Sequence, residues 1–568
     1  MPEAKRPRTQ TSAEASFPGL FPQTDALSTA YAQATPFPHT RIAPFCSDTL
    51  LRGVRDEMLT ALHFTQKETD ILKYHQSGDL ANLDGLSAHE LGRLPHLAQL
   101  RDALYSSEFR AFVSRVTGCG PLSGSRTDMS TNRYKPGDHL LLHDDVIGDR
   151  CVSYIIYLPD PDEGEWASSD GGGLELYGRS EAGAPLASPA RVLRPLWNQL
   201  VMFAVQPGRT YHAVQEVCGR RERLSIQGWF HLPQPGEPGH SSDQLARLLG
   251  SGASSLAQIE ARGQGDPGRA FAEFDPAEPG SAVPGEDPAD AADLDSVEPD
   301  LAAPGASPAD AAELDAADRR ALAPLINAEY LDGAVMGQAA DRFADASHIQ
   351  LGAFLRADVA ARLLDVLRAA DADAQVGGRA CVTAYAAGEH ADWAVEGPPV
   401  VRRFLQLRAD AAPAAEPGRA LHALQQLFGG AAFARWLAGV SGLALGGRRG
   451  GVRRFRAGLD YTLGTPDHVD GPVLDAVLCL APQAERWRDG GVGGYHCYVD
   501  GGGDDASNDG SVCRRDDDDD GTLLTTPAGW NALTLVLREP SVVKFVKYVS
   551  AAAPGSRWDV SYEYKVCD

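Results

Sequence analysis

Two similar patterns of apolar and polar positions occur along the chain, one in each half. Ile42 to Leu59 and Ile349 to Leu364 each place a short strand-like stretch before apolar residues at helical spacing. Further on, Phe109 to Gly118 and Phe433 to Gly442 align without a gap. In both, aromatic and aliphatic residues recur at helical spacing and the final Gly suits a helix C-cap. The pattern predicts that the second half repeats the architecture of the first.

A third match supports the repeat, because Trp197-Asn198-x-Leu200 recurs in the same order as Trp530-Asn531-x-Leu533. Short strand-like segments bounded by Gly and Pro follow the helical start of the first half. They are Val152 to Leu158, Gly173 to Tyr177, Leu200 to Val205 and Leu224 to His231. We therefore expect an α+β protein with a mainly β core, built as two tandem double-stranded β-helix (jelly-roll) domains with flanking helices.

Length and charge divide the chain further. Its 568 residues exceed what one core can bury, since single cores stop growing at roughly 250–300 residues. The net charge of −25 is partly local: residues 271–318 hold fourteen Asp or Glu and no Lys or Arg. This Pro-, Ala- and Gly-rich stretch favours a solvated acidic linker. We expect a disordered tail (1–30), a first domain (31–240), a helix plus linker (241–321) and a second domain (322–568).

Several classes of protein are excluded or disfavoured. No apolar run approaches a bilayer span, and the N-terminus carries no apolar signal-peptide core. Nine cysteines without a CxxC pair argue against a disulfide framework or structural zinc, and for an intracellular soluble protein. Lys5 to Arg8 is either a short nuclear localisation signal or a basic tail.

Candidate chemistry lies in the first half, in the segment Arg133 to Asp145. If Leu140 to Asp145 is a strand, His143 and Asp145 share one face and supply two thirds of a facial triad for non-haem Fe(II). His212, after the Pro207-Gly208 turn, is the candidate third ligand.

Arg223, on the next predicted strand, could hold a carboxylate by a bidentate pair. Each element alone is a weak signal, and a lone His is more often structural; the ordered combination of all four residues is specific. Tyr134 and Tyr157 fit either a pocket or a packed core.

These residues carry a resemblance to a known family. The pieces RYKPGDHLLLHDD, YIIYLPD, GGGLELY, PLWNQLVMF and RLSIQGWFH resemble Fe(II)- and 2-oxoglutarate-dependent dioxygenases of the prolyl-hydroxylase type. Within that family they are most similar to the ribosomal-protein prolyl hydroxylases, which carry two tandem double-stranded β-helix domains, the second without catalysis. The resemblance runs from about residue 37 to the C-terminus and leaves out the N-terminal tail and the acidic linker.

The resemblance implies a role for each candidate residue. His143, Asp145 and His212 would bind Fe(II). Arg223 would hold the distal carboxylate of 2-oxoglutarate, with Tyr157 and Tyr134 hydrogen-bonding the co-substrate. Dioxygen would be the second co-substrate and L-ascorbate a further cofactor.

The implied substrate is one proline of the small-subunit ribosomal protein at the decoding centre, hydroxylated at C3 and in some members also at C4, with an effect on translation accuracy and termination. The resemblance implies nucleus and cytoplasm as the location, and neither membrane nor direct nucleic-acid binding is expected.

The second half contains its own His-x-Asp, at His468 and Asp470. A gapless alignment on the Trp-Asn pair places Phe545 where His212 stands and Arg557 near the place of Arg223, with Asp559 replacing Ser225. We therefore expect a degenerate, non-catalytic domain kept for substrate docking or packing.

Two other functions stay open at this point: a dioxygenase of the same fold acting on a different protein, and a non-catalytic adaptor in translation or mRNA decay.

Overall fold

A computed structural model gives the fold of most of the chain. It describes residues 13–243, 270–274, 314–378, 382–408, 412–465, 469, 471–488, 490–501 and 521–567. The tail before residue 13, most of the acidic linker, and His468 with Asp470 lie outside the described residues. The expectations placed on them are therefore not addressed by the structure.

The described residues form eleven α-helices and twenty-three strands. The helices are α1 Ala13–Ser16, α2 Thr24–Gln33, α3 Asp48–Ala61, α4 Ala88–Leu91, α5 Pro95–Leu104, α6 Ser107–Thr117, α7 Ala316–Leu322, α8 Gly333–Ala346, α9 Ala357–Asp373, α10 Gly418–Gly429 and α11 Ala431–Ser441. The strands of the first half are β1 Thr40–Ile42, β2 Thr65–Glu68, β3 Leu72–Gln76, β4 Thr127–Tyr134, β5 His139–His143, β6 Arg150–Tyr157, β7 Leu174–Leu176, β8 Arg191–Leu193, β9 Gln199–Ala204, β10 His212–Val214 and β11 Arg223–His231.

The remaining strands belong to the second half or pack on it. They are β12 Ala272–Glu273, β13 His348–Gly352, β14 Trp393–Glu396, β15 Arg402–Leu407, β16 Ala444–Phe455, β17 Tyr461–Thr462, β18 Val473–Leu480, β19 His496–Asp500, β20 Thr522–Thr526, β21 Trp530–Arg538, β22 Val542–Val546 and β23 Arg557–Cys567.

The first half is one antiparallel sheet in the order β1-β9-β6-β11-β4-β3-β5-β10-β7-β8, with β2 beside β3. The sheet curls back on itself, because Phe203 of β9 contacts His212 of β10 with ring centroids 4.8 Å apart although five strands lie between β9 and β10 in the order. The inner face of this curled sheet encloses the predicted site residues.

Helices cover the outer face of the first sheet. Helix α6 begins where the Ser106 hydroxyl accepts a hydrogen bond from the backbone N–H of Phe109, and it ends at Gly118 with φ of +70°. It buries Phe109, Phe112, Val113 and Val116. The predicted helix and its glycine C-cap are confirmed, and so is the matching pair of α11 and Gly442.

The disordered tail expected over residues 1–30 does not fit residues 13–30. Helix α1 and most of α2 lie in this stretch. Phe17 is fully buried and stacks on Phe45 and Phe109 with ring centroids 4.8 Å from each. Burying one aromatic side chain contributes roughly 1.5–3 kcal/mol, enough to hold this polar-looking segment against the core. The sequence pattern did not indicate this packing because the apolar anchors, which also include Ala13 and Leu20, are few and irregularly spaced.

The second half repeats the strand order of the first. Strands β13-β21-β18-β23-β16-β15 follow one another as β1-β9-β6-β11-β4-β3 do, and a separate sheet β20-β19-β22 takes the place of β8-β7-β10.

The repeated Trp-Asn pair has the same role in both halves. Asn198 (φ +56°) and Asn531 (φ +52°) each accept backbone N–H groups from the segment just before helices α3 and α9. A left-handed Asn whose amide pins a helix start explains why this dipeptide recurs.

The two halves pack directly on each other. The loop after β22 supplies Tyr548, Ser550 and the N–H of Ala551 to the buried carboxylate of Glu216, which lies shortly after β10. The N–H of Ala551 donates over 2.7 Å to Oε2 of Glu216.

An apolar contact adds to this interface, because Val400 and Val401 of the second half pack against residues of strands β5 and β10, which carry His143 and His212. The second half therefore supports the edge of the sheet on which the predicted site lies.

Two further features complete the fold. Strand β12, from the linker, pairs with β16, so a short part of the linker adds to the second sheet. Helix α7 begins at Ala316 with its N-cap on Asp315, at the end of the acidic stretch. Among the helices in the described ranges, none combines the length and apolarity needed to cross a membrane.

Candidate metal and co-substrate site

The structure brings His143, Asp145 and His212 together at the inner face of the curled sheet. Nε2 of His143 lies 3.4 Å from Oδ1 of Asp145, and Nε2 of His212 lies 3.4 Å from Oδ2. The ligand atoms of the three residues all lie within 4.8 Å of one another. Within the described ranges this is the one group of His, Cys, Asp or Glu arranged to hold a metal ion.

Both histidines present Nε2 toward the shared centre because their other ring nitrogen is fixed. Nδ1 of His143 lies 2.8 Å from the carbonyl oxygen of Leu141, and Nδ1 of His212 lies 2.8 Å from that of Thr210. A carbonyl only accepts, so each Nδ1 carries the proton and donates it. Nε2 is then left with the lone pair that a metal requires.

Asp145 reaches the centre in a different way from the one expected. Strand β5 ends at His143, and Asp145 has a left-handed backbone with φ of +62°. The strand predicted over Leu140 to Asp145 is therefore two residues too long, and the shared face comes from a turn after the strand. Ser153 of β6 fixes the carboxylate by donating to Oδ2 over 2.8 Å. Sequence reasoning missed this serine, for which the sequence offers no signal.

The electrostatics favour an ionised Asp145. Burial opposes ionisation, but while His212 and His143 are protonated their charge and hydrogen bonds outweigh it and hold the pKa of the carboxyl well below its usual value; a bound metal cation would take the place of these protons. The neighbouring Asp144 is also fully buried and accepts a hydrogen bond from the N–H of Gly208 over 3.0 Å. It ties the end of β5 to the turn that precedes His212, so it is a structural residue rather than a solvated carboxylate.

Arg223 lies deep in the same cavity, sandwiched between two tyrosines. Its guanidinium carbon is 4.7 Å from the ring centroid of Tyr134 and 4.9 Å from that of Tyr157. Its Nη1 donates to the Ser225 hydroxyl over 3.3 Å, while Nε and Nη2 have no hydrogen-bond partner among the described residues. The hydroxyls of Tyr134 and Tyr157 are also buried without a described partner.

These buried donors fit an anionic co-substrate. Burial raises the pKa of Tyr134 to about 12 and also raises that of Tyr157, although the charge of Arg223 opposes both shifts, so both hydroxyls keep their protons and can donate. A buried guanidinium without a carboxylate is costly, and a bidentate carboxylate would remove that cost. The chain thus offers a two-His, one-carboxylate set for Fe(II) beside a cationic cleft for a dicarboxylic acid such as 2-oxoglutarate.

A pair of glycines lets the chain pass close to Arg223. Gly171 and Gly172 have φ of +67° and +65°. A Cβ on Gly172 would lie 3.1 Å from Cδ of Arg223, and one on Gly171 would lie 2.0 Å from the carbonyl oxygen of Glu216. The GGGLELY motif is therefore explained by close backbone approach at the site.

An equivalent pair of glycines in the second half shows which residues of the two halves correspond. Gly493 and Gly494 also have positive φ, and a Cβ added to each would meet Tyr548 and Arg557, respectively, as one added to Gly171 or Gly172 would meet Glu216 or Arg223. In the first half, His212 pairs with Leu176, which lies four residues after Gly172. In the second half, Tyr498 lies four residues after Gly494, so the residue that pairs with Tyr498 is the counterpart of His212.

That counterpart is Lys544, and the Phe545 expected from the gapless alignment is wrong by one position. The segment from Asn531 to Lys544 is one residue shorter than the segment from Asn198 to His212.

Lys544 stands in the second half where the first half has His212, a candidate metal ligand. Its ammonium lies 2.7 Å from Asp475 and 2.6 Å from Glu563. Asp559, at the place of Ser225, is ion-paired with Arg557, the counterpart of Arg223. A protein cation and a protein carboxylate thus occupy the region that corresponds to the metal and co-substrate positions of the first half.

Two of the phenols of the first half are also missing from the second. Phe455 pairs with Arg557 as Tyr134 pairs with Arg223, and Cys479 pairs with Asp559 as Tyr157 pairs with Ser225. Neither replacement offers a hydroxyl donor.

Comparison with known proteins agrees with this site. Residues 129–231 match the profile of the family described as 2OG-Fe(II) oxygenase superfamily. Residues 317–568 match the one described as oxoglutarate and iron-dependent oxygenase degradation C-term. The first match spans all three metal-ligand candidates and Arg223.

One curated relative extends the match over most of the chain. The prolyl 3,4-dihydroxylase OGFOD1 of Ostreococcus tauri is 33% identical over 545 residues, covering 93% of this chain and 95% of that protein. The prolyl 3-hydroxylase OGFOD1 of Xenopus laevis is 36% identical over 200 residues, 35% of each chain. A crystal structure of a Pseudomonas putida prolyl-4-hydroxylase is 21% identical with a TM-score of 0.28, covering 37% of this chain and 98% of that one.

The chain belongs to the OGFOD1 family of prolyl hydroxylases, and with it to the Fe(II)- and 2-oxoglutarate-dependent dioxygenases. It is therefore an enzyme whose family implies Fe(II), 2-oxoglutarate and dioxygen.

Proposed function

We propose that the protein hydroxylates a prolyl residue of the small-subunit ribosomal protein at the decoding centre, at C3 and also at C4 where a second round follows. The relatives named prolyl 3-hydroxylase and prolyl 3,4-dihydroxylase support the residue type and the positions. The observation that carries the proposal is the set of His143, Asp145 and His212 beside the donors of Arg223 that have no hydrogen-bond partner among the described residues.

In this proposal the chain's own residues bind and orient. Nε2 of His143, Nε2 of His212 and the Asp145 carboxylate would hold Fe(II), and Ser153 would keep the carboxylate in place. Arg223 would take the distal carboxylate of 2-oxoglutarate, with donors from Tyr134 and Tyr157. Bound iron and co-substrate supply the oxidation of a C–H bond by dioxygen. No protein group has to act as a general base.

We assign catalysis to the first half alone, with boundaries near residues 13 and 240, and treat residues 322–568 as a non-catalytic domain. Lys544 in place of a histidine and Asp559 beside Arg557 support this assignment. One iron per chain is the expected result of metal analysis. Two iron ions per chain, one of them lost on His468→Ala, would contradict it.

The non-catalytic domain supports the site through packing. Its loop at Tyr548 to Ala551 holds Glu216, and Val401 packs on the strands that carry the two histidines. We extend the proposal to L-ascorbate as the reductant that keeps the iron as Fe(II), to an effect on translation accuracy and termination, and to action in nucleus and cytoplasm.

The test is incubation of the purified full chain with Fe(II), 2-oxoglutarate and dioxygen and a peptide of the decoding-centre protein. Mass spectrometry should find one added oxygen on a proline, and two on prolonged incubation if C4 also reacts. Turnover with a different protein only would support a dioxygenase of another specificity. Absence of 2-oxoglutarate turnover with every protein offered would favour the adaptor.

A further inference from the structure

The second half contains a cavity of about 530 Å³ that the catalytic account does not use. Strands β15, β16, β21 and β22 contribute to its wall, at the place in the second sheet that corresponds to the catalytic cavity of the first. Its volume lies in the range of roughly 300–1,000 Å³ that small-molecule sites occupy. Apolar side chains such as Phe404 and Val546 share the wall with bases.

The buried charges around this cavity do not balance. Four bases line it, of which Arg538 is buried and Arg449, Arg453 and Lys544 are partly buried; a fifth, the buried Arg557, lies behind them. Ion pairs join these five to Asp475, Asp559 and Glu563. Within this group of described residues, five bases and three acids leave a surplus of two positive charges. Every one of these side chains is at most 20% exposed.

The other lining groups do not remove this surplus, and the exposed Arg408 at the wall adds to it. Arg402 at the wall is paired with Glu396 over 2.7 Å. His496 also lines the cavity, but burial and the charges of Arg557 and Arg453 hold its pKa well below the usual value, so it stays neutral. A surplus of buried charge is expensive without a counter-ion, which makes an anion the ligand that the cavity is suited to bind.

We propose that this cavity binds a small molecule carrying two negative charges, as a phosphate group or a pair of carboxylates, without a metal. The site of the first half would carry the same net charge with iron bound, since Arg223, Asp145 and Fe(II) would also sum to two positive charges. In the second half Lys544 supplies charge where the metal ligand His212 would stand. Arg453 and Lys544 line the open part of the cavity and hold the anion there in addition to their ion pairs with Asp559 and Asp475, because Asp559 already fills the position next to Arg557.

The proposal is independent of the hydroxylation reaction and is tested without it. The full chain is kept in a chelator, so that the first site holds no iron, and titrated separately with inorganic phosphate and with succinate. Calorimetry and thermal unfolding should show saturable binding of at least one of the two, with a higher melting temperature when bound. Binding of phosphate alone identifies a phosphate ligand, and binding of succinate alone a dicarboxylate.

The double variant Arg453→Gln/Lys544→Gln removes both surplus charges, while every acid keeps a basic partner: Arg557 for Asp559, Arg538 for Asp475 and Arg449 for Glu563. It should weaken binding by roughly a hundredfold, and each single variant by roughly tenfold, as loss of charged hydrogen bonds implies. The single variants report the effect even if the double variant does not fold.

The matched control Arg223→Gln changes the first site only and should leave this binding unchanged. Three results would overturn the proposal: no binding of either probe to the wild-type chain, equal binding to the cavity variants, or loss of binding in Arg223→Gln.

Discussion

His143 and His212 lie directly opposite each other on neighbouring antiparallel strands, with their ring centroids 4.2 Å apart. Each Nε2 lies 3.4 Å from a different oxygen of the Asp145 carboxylate. The register of β5 against β10 thus sets the spacing of the two candidate nitrogen ligands, and the left-handed turn at Asp145 brings the candidate oxygen ligand between them.

Removal of any one metal ligand should abolish turnover. His143→Ala, Asp145→Ala and His212→Ala should each lower 2-oxoglutarate consumption by more than roughly a hundredfold, because loss even of a residue that only supports a ligand typically costs roughly 10- to 100-fold. Circular dichroism should stay close to wild type. The exposed His348→Ala is the matched control and should keep full activity. Near wild-type turnover in a ligand variant would remove that residue from the set.

Arg223→Lys should raise the 2-oxoglutarate requirement by roughly ten- to a hundredfold. A point charge replaces a planar fork whose Nε and Nη2 are buried and have no described partner, and a charged hydrogen bond is typically worth roughly 1.5–3 kcal/mol. The measurement is the apparent KM for 2-oxoglutarate with iron held at saturation. An unchanged KM would mean that another residue holds the acid.

The contact of Glu216 with the second half should matter for stability. Glu216→Ala leaves the N–H of Ala551 and the hydroxyls of Tyr548 and Ser550 without their shared acceptor. Each buried unsatisfied group costs about 1–3 kcal/mol, so we expect the free energy of unfolding to fall by at least about 2 kcal/mol in urea denaturation. The exposed Glu181→Ala is the control and should change little. Equal stability of the two variants would show that the apolar contacts alone hold the halves together.

His139 should make the interface sensitive to acid. Its ring packs on Tyr548 with centroids 4.2 Å apart, and burial, with the charges of Lys547 and Lys73, lowers its pKa from 6.5 to about 3. The unfolded chain then binds a proton that the folded chain does not, so stability falls as the pH drops below 6.5. The loss from this residue should be roughly 1.4 kcal/mol per pH unit until the folded pKa is reached.

The measurement for His139 is the free energy of unfolding between neutral and acid pH, compared with His139→Phe, which keeps a ring against Tyr548 without a titrating group. The variant should show a shallower decline. Identical slopes in the two proteins would assign the acid sensitivity to other groups.

Much of the site could be predicted from sequence because its signals are local. His143 and Asp145 are two residues apart in the sequence. The helix that contains Phe109 and ends at Gly118 shows its apolar periodicity within a single short segment. Features that depend on distant partners could not be predicted. Ser153 reaches Asp145 across neighbouring strands, and Glu216 meets a loop more than three hundred residues further along the chain.

The one-residue error at Phe545 has a specific cause. A turn shortened by one residue shifts every later position, and in a strand such a shift exchanges the two faces. The correct alignment of the two halves follows from the strand pairing of Lys544 with Tyr498, with Gly493 and Gly494 matched to Gly171 and Gly172. The left-handed backbone at Asp145 escaped prediction for a similar reason, since alternation along a strand says nothing about where that strand ends.

Hydroxylation of proline is tested by mass spectrometry of a decoding-centre peptide after incubation with the full chain, Fe(II), 2-oxoglutarate and isotopically labelled dioxygen. We expect one labelled oxygen atom on a proline of the peptide, with 2-oxoglutarate consumed in proportion, and neither change in His212→Ala. A peptide that stays unlabelled while wild-type protein, iron and 2-oxoglutarate are all present in excess would contradict the proposed hydroxylation.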